Sequence, residues 1–132
     1  MSAEPRQADS VYDRLGGESA VRALVDRFYA LMHTLPEAQD VRRLHPPTLD
    51  RAADSLFKFL SGWFGGPPLY MRERGHPRLR MRHLPFAIGA AERDQWLLCM
   101  RQALAEQVAD DKLRAAVEHA FAGMADHMIN RP

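Results

Sequence analysis

The sequence predicts an all-α fold, and three observations carry that reading. Four long segments repeat apolar residues at helical spacing. Glycine and proline gather in the joints between them, at 16–17, 46–47 and 65–68. Outside residues 78–83, no stretch alternates polar and apolar side chains as a half-buried strand does.

The elements follow in order. Residues 1–10 are polar and read as a disordered tail, which leaves 11–130 as a single domain. "RLGGES" (14–19) gives a glycine turn with Ser19 as the expected N-cap. A helix over 19–33 then carries Val21, Leu24, Val25, Phe28 and Met32 on one stripe, and Pro36 ends it. After the "LHPPT" loop (44–48), Thr48 is placed to cap a second helix, whose stripe is Leu49, Ala52, Ala53, Leu56, Leu60 and Trp63. "GGPP" (65–68) stops that helix, and 67–77 read as an irregular loop. Two further helices are expected over 91–108, with Trp96, Met100, Ala103 and Leu104 on one face, and over 111–129, with Leu113, Val117, Phe121, Met124 and Met128.

Between them lies "RLRMRHLPF" (78–86), which has two readings. With a period of two it is a basic strand. With the helical period, Leu79, His83 and Phe86 share a face. A lone strand in a helical chain has no partner to pair with, so the helical reading is preferred, ending before Pro85.

Composition narrows the function classes. Among 132 residues, 18 basic and 17 acidic side chains leave a formal net charge of +1, so general polyanion binding is not implied. The cluster Arg72, Arg74, Arg78, Arg80 and Arg82 is either a solvated face or a local anion or nucleic-acid contact. It lacks the interleaved aromatics of single-strand binders, and no nucleic-acid partner is expected. One cysteine, Cys99, allows neither an internal disulfide nor a cysteine-based zinc site. The N-terminus "MSAEPRQADS" is unlike a secretory signal, and the longest strongly apolar run, "WLLCM", is too short for a bilayer. A cytoplasmic location without membrane attachment is expected.

The six histidines form no H-E-x-x-H pair, and the single E-x-x-H, Glu73 to His76, is interrupted by Gly75. His83 alone leaves two alternatives open. A histidine on an apolar face is most often a core residue satisfied by a carbonyl. It can also ligate iron within a macrocycle, since a porphyrin supplies four nitrogens and needs one protein ligand. Tyr29 and Trp96, at the edges of apolar stripes, carry an O–H and an N–H. Each is commonly a core aromatic with a satisfied polar tip.

Four blocks carry a family resemblance: "YDRLGG" (12–17), "DRFYALM" (26–32), "GGPPLYMRERGHPRLRMRHLPF" (65–86) and "IGAAERDQWLLCM" (88–100). Over roughly 11–129 the chain resembles the group II truncated haemoglobins, short globins with a two-over-two helical sandwich enclosing haem. The resemblance implies haem b as cofactor and His83 as proximal iron ligand. It implies Tyr29, Trp96 and His45 on the distal side, with Ala52 and Leu56 near the ligand. Phe28, Phe59, Leu60, Leu79, Phe86 and Met100 are expected to wall the cofactor, and Tyr70, His76 and Arg82 (with Arg80) to meet its propionates.

What the resemblance implies for function is binding of diatomic gases at five-coordinate iron, with Tyr29 and Trp96 donating hydrogen bonds that slow release. His45 adds a group able to titrate near neutral pH. Peroxidase or nitric-oxide dioxygenase activity is the enzymatic alternative. A basic helical nucleic-acid module and a cofactor-free interaction domain are the remote ones. A reductase partner and a monomer or weak homodimer are expected.

Overall fold

A computed structural model describes residues 10–131. Among them every regular element is helical: α1 (Val11–Leu15), α2 (Glu18–Thr34), a 3-10 turn (Pro36–Ala38), α3 (Gln39–Arg43), α4 (Asp50–Trp63), α5 (Leu69–Arg74), α6 (Leu79–His83), α7 (Ala90–Gln107) and α8 (Asp111–Met128). The four long helices and the short helical element expected from periodicity are present, and the strand reading of 78–83 is gone. The rest of the expected tail, residues 1–9, lies outside the described residues. Ser10, also assigned to that tail, is instead buried and caps α1, its Oγ accepting from the Asp13 N–H at 3.1 Å.

Several local expectations are corrected. Helix α2 begins one residue early, because Gly17 at φ 79° turns the chain and serves as N-cap in place of Ser19. Helix α4 starts at Asp50 with Leu49 as its N-cap, so Thr48 does not cap it. The irregular loop expected at 67–77 contains α5, and Pro36–Arg43 continues as helical turns. These short helices lean on neighbours, α5 on α4 and α3 on α7. The glycine pair 65–66 owes its composition partly to α1: a Cβ on Gly66 would lie 2.4 Å from the Tyr12 ring.

Helix α2 packs on α4 and α7, and α7 runs along α8, giving a two-over-two sandwich. Its core joins Val21, Leu24, Val25, Phe28 and Met32 of α2 to Leu60 of α4, Met100 and Leu104 of α7 and Phe121 of α8. Cys99 sits in the same core, where burial pushes its thiol up to about 11, so it is a packed hydrophobe and not a nucleophile. Among the described residues no helix is long and apolar enough to cross a membrane.

Two polar clamps position what lies around this core. Gln95 of α7 donates from Nε2 to Asp40 Oδ2 (2.8 Å) and accepts the Val41 N–H on Oε1 (3.0 Å), which fixes α3 against α7. Arg42 then donates to the carbonyls of Pro46 and Pro47 (2.9 and 2.8 Å), holding the "LHPPT" loop without regular structure.

Candidate functional site

The fold leaves a cavity of about 270 Å³ lined by side chains of α2, α3, α4, α6, α7, α8 and the loops after α3 and α6. One water needs about 10–15 Å³ of such space, so this volume suits a much larger guest. Its walls are mainly apolar: Leu56 and Phe59 from α4, Leu79 from α6, Phe86 and Ile88 after it, and Met124 and Met128 from α8.

His83 ends α6 and lines this cavity, half-buried. Its Nδ1 lies 2.6 Å from the Leu79 carbonyl. A carbonyl can only accept, so Nδ1 carries the proton and Nε2 keeps its lone pair. Among the described residues no group of three or more His, Cys, Asp or Glu side chains is placed to hold a metal ion. A single histidine serves iron when a macrocycle supplies the other nitrogens. Apolar walls and an imidazole whose Nδ1 is held by a carbonyl therefore fit haem.

A ladder of rings builds the other side. Phe28, fully buried, meets Tyr29 edge-on at 4.8 Å and Trp96 at 5.0 Å, and Trp96 meets Phe121 at 5.5 Å. Tyr29 and Trp96 both line the cavity. Among the described residues, neither the Tyr29 hydroxyl nor the Trp96 N–H is given to a protein acceptor. Burial pushes the Tyr29 pKa well above the ordinary tyrosine range, so the group stays an O–H donor.

His45 faces Tyr29 with ring centroids 5.8 Å apart, and its Nδ1 donates to the Val41 carbonyl at 3.0 Å. Burial lowers its pKa below 6.5, opposed by that hydrogen bond and reinforced by the charges of Arg42 and His83. It was expected to titrate near neutrality, and burial, the largest cause, shifts it from the ordinary histidine value toward the neutral form.

Eight of the expected site residues share the cavity: Tyr29, His45, Leu56, Phe59, Leu79, His83, Phe86 and Trp96. The others fall elsewhere. Phe28, Leu60 and Met100 are fully buried in the core behind the cavity wall. Ala52 packs against the core one turn before Leu56. Tyr70 is buried on α5 beneath the Arg74 guanidinium, 5.3 Å from its ring. His76 lines an adjoining hollow and accepts the Arg78 N–H on Nδ1. Arg82 is exposed on α6 outside the lining, and Arg80 donates to the carbonyls of His127 and Ile129. Val41, Leu44, Pro46, Ile88, Glu92, Arg93, Met124, Ala125 and Met128 line the cavity without having been expected there. The apolar stripe of α8 signalled Met124 and Met128 as buried, but not toward what.

Helices stacked two over two around an apolar cavity that His83 enters define a short globin. Comparison with known proteins agrees. The family model described as bacterial-like globin matches residues 10–130. The chain is 36% identical over 115 residues to the group 2 truncated hemoglobin YjbI of Bacillus subtilis, covering 87% of this chain and 85% of that protein. Among solved structures, the group II 2-on-2 hemoglobin of Agrobacterium tumefaciens superposes with a TM-score of 0.92 at 44% identity, over 100% of both chains. The truncated oxygen-avid haemoglobin of Bacillus subtilis gives 0.84 at 35% identity, over 92% of this chain and 100% of that one. The chain belongs to the bacterial-like globin family, among its group II truncated haemoglobins. It is therefore a haem-based ligand-binding protein of the class that takes diatomic gases.

Proposed function

We propose that the protein binds haem b with His83 Nε2 as the one protein ligand to iron, and retains O2 through hydrogen bonds from Tyr29 and Trp96. CO, NO, peroxide and sulfide are further ligands of the same site. The observation that carries this reading is the pair of donors without protein acceptors. Tyr O–H and Trp N–H groups normally find a partner, and both of these side chains line the cavity, where a polar guest would complete them. The oxygen-avid character of the similar Bacillus subtilis protein supports it.

Haem iron supplies the electrophilic centre that takes a diatomic molecule, and the chain does the rest. The Leu79 carbonyl fixes the tautomer and ring angle of His83. Leu56, Phe59, Phe86 and Met124 line the cavity and would exclude water from bound haem. Tyr29 and Trp96 would each donate a hydrogen bond to a polar diatomic guest in the cavity. Each such bond contributes about 1.5–3 kcal/mol in a dry pocket, so together they slow release by about two to four orders of magnitude. That favours retention, sensing or chemistry over bulk transport.

A second reading, peroxidase or nitric-oxide dioxygenase activity with electrons from a reductase, draws on His45. Its Nδ1 is spent on Val41, so its neutral Nε2 can accept a proton from a peroxide.

The test is haem uptake. Purified chain mixed with haemin should develop a Soret band and bind CO after reduction, and His83→Gly should abolish that spectrum. A wild-type chain that takes up no haem, or a His83→Gly variant with an unchanged spectrum, overturns the reading.

A further inference from the structure

Helix α6 poses a mechanical problem. It has five residues, none of them buried, and its N-cap, Arg78, sits at φ 47° with no side-chain cap. A helix that short has no stability of its own. The apolar core does not hold it either, and its main neighbour is α8. Yet it carries His83, whose ring must be held to a fraction of an ångström to act as a ligand.

What holds it is the chain end after α8. Asn130 donates from Nδ2 to the His83 carbonyl at 3.2 Å, while its Oδ1 accepts the Ile88 N–H at 3.0 Å. The backbone N–H groups of Asn130 and Arg131 donate to the Ile88 carbonyl at 2.9 and 3.0 Å. One turn before His83, Arg80 reaches the carbonyls of His127 (2.5 Å) and Ile129 (3.2 Å). Residues 127–131 thus grip α6 through Arg80 and the His83 backbone, and the segment that follows it at Ile88.

We propose that Asn130, supported by Arg80, is a positioning residue for the iron ligand: the 127–131 segment is a strap that sets the height and tilt of the His83 ring. The proposal rests on His83 being that ligand. A side-chain carboxamide can satisfy His83 O and Ile88 N together only while the two segments keep their spacing, so the Asn130 amide acts as a gauge between α6 and the segment that leads into α7. Loosening it frees His83 to shift relative to the haem plane, while the core of α2, α7 and α8 is untouched.

The test compares Asn130→Ala, which removes both side-chain bonds, with Asn130→Asp, which keeps the acceptor for Ile88 and loses the donor to His83. The readouts on haem-loaded protein are the iron–histidine stretching band by resonance Raman and the rate of haem loss to an acceptor apoglobin. Amide hydrogen exchange over 79–88 is read without haem. Both variants should shift or broaden the band and speed haem loss by about tenfold, the equivalent of one hydrogen bond. They should raise exchange over 79–88 and leave α2 and α7 protected. Arg80→Lys should lie between Arg80→Ala and wild type.

An unchanged band and unchanged exchange over 79–88 in both Asn130 variants overturn the proposal. So does exchange that rises equally throughout the chain, which marks a merely global role. If the band is absent from wild type, or survives His83→Gly, the ligand assignment itself has failed and the strap's role toward iron falls with it. A normal, His83-dependent band that ignores Asn130 sinks the strap alone.

Discussion

The two sides of the cavity are held by different physics. The distal wall, where Tyr29 and Trp96 sit, is a continuation of the core: Phe28 has no exposed surface and touches both rings. Helix α6, which carries His83, has no buried residue and is positioned by hydrogen bonds to residues 127–131. Packing is stiff and cannot be adjusted without cost to the whole molecule. A few polar bonds at a surface can be made or lost locally. The donors proposed to retain ligands therefore share the stability of the fold, while His83, the proposed iron ligand, sits on an element whose position can be tuned separately.

Phe28→Ala should break this contrast most visibly. Removing a fully buried phenylalanine costs about 3–5 kcal/mol, a large part of the 5–15 kcal/mol typical of a domain. It should also unseat both Tyr29 and Trp96. Denaturant unfolding measures the first effect, and the rate of O2 release from the haem-loaded protein measures the second. A loss below about 1 kcal/mol would mean the distal wall is no more rigid than helix α6.

Tyr29→Phe and Trp96→Phe sharpen it. Each deletes one donor and keeps an aromatic ring in place. Since neither donor has a described protein partner, Tyr29→Phe should barely change stability and Trp96→Phe should lose only the packing of its larger ring on Phe28 and Phe121, while O2 release accelerates by about ten- to a hundredfold per substitution. Stopped-flow dissociation on the haem-loaded variants decides. If release is unchanged in both, ligand retention does not come from these groups.

The same contrast explains what the sequence made legible. Helices α2, α4, α7 and α8 are long enough for an apolar stripe to repeat several times, and periodicity located each to within a residue or two. Helices α1, α3 and α5 are five or six residues long. They offer no period to read, and their stability comes from neighbours distant in sequence. The capping errors at Ser19 and Thr48 have a related cause: a polar residue near a helix start is only a candidate until the turn before it is known. Tyr29, Trp96 and His83 were visible as residues able to do this chemistry, and His83 needed a family resemblance to rise above an ordinary core histidine. That Phe28, Leu60 and Met100 back the wall instead of forming it is a matter of which way a buried stripe faces. Asn130 had no signal at all, because its role is a contact spanning 47 residues.

The smallest expected effect lies between the two regions, at His45. Its pKa is lowered in the folded protein, first by burial, against an ordinary value of 6.5. Above pH 6.5 both the folded and the unfolded chain hold it neutral, and it adds no pH dependence. As pH falls below 6.5 the unfolded chain takes up the proton first, so stability declines through the folded pKa and levels off beneath it. The lowered carboxylates Asp54, Glu73 and Glu106 start from ordinary values of 3.8, 4.5 and 4.5, so they act at lower pH. His45→Gln should flatten the slope of denaturant stability below about pH 6.5, measured on the haem-free chain so that cofactor binding does not enter the comparison. An identical slope in the variant would show that the Tyr29 side of the cavity admits water freely, and that the dry pocket required for strong hydrogen bonds to O2 is not there.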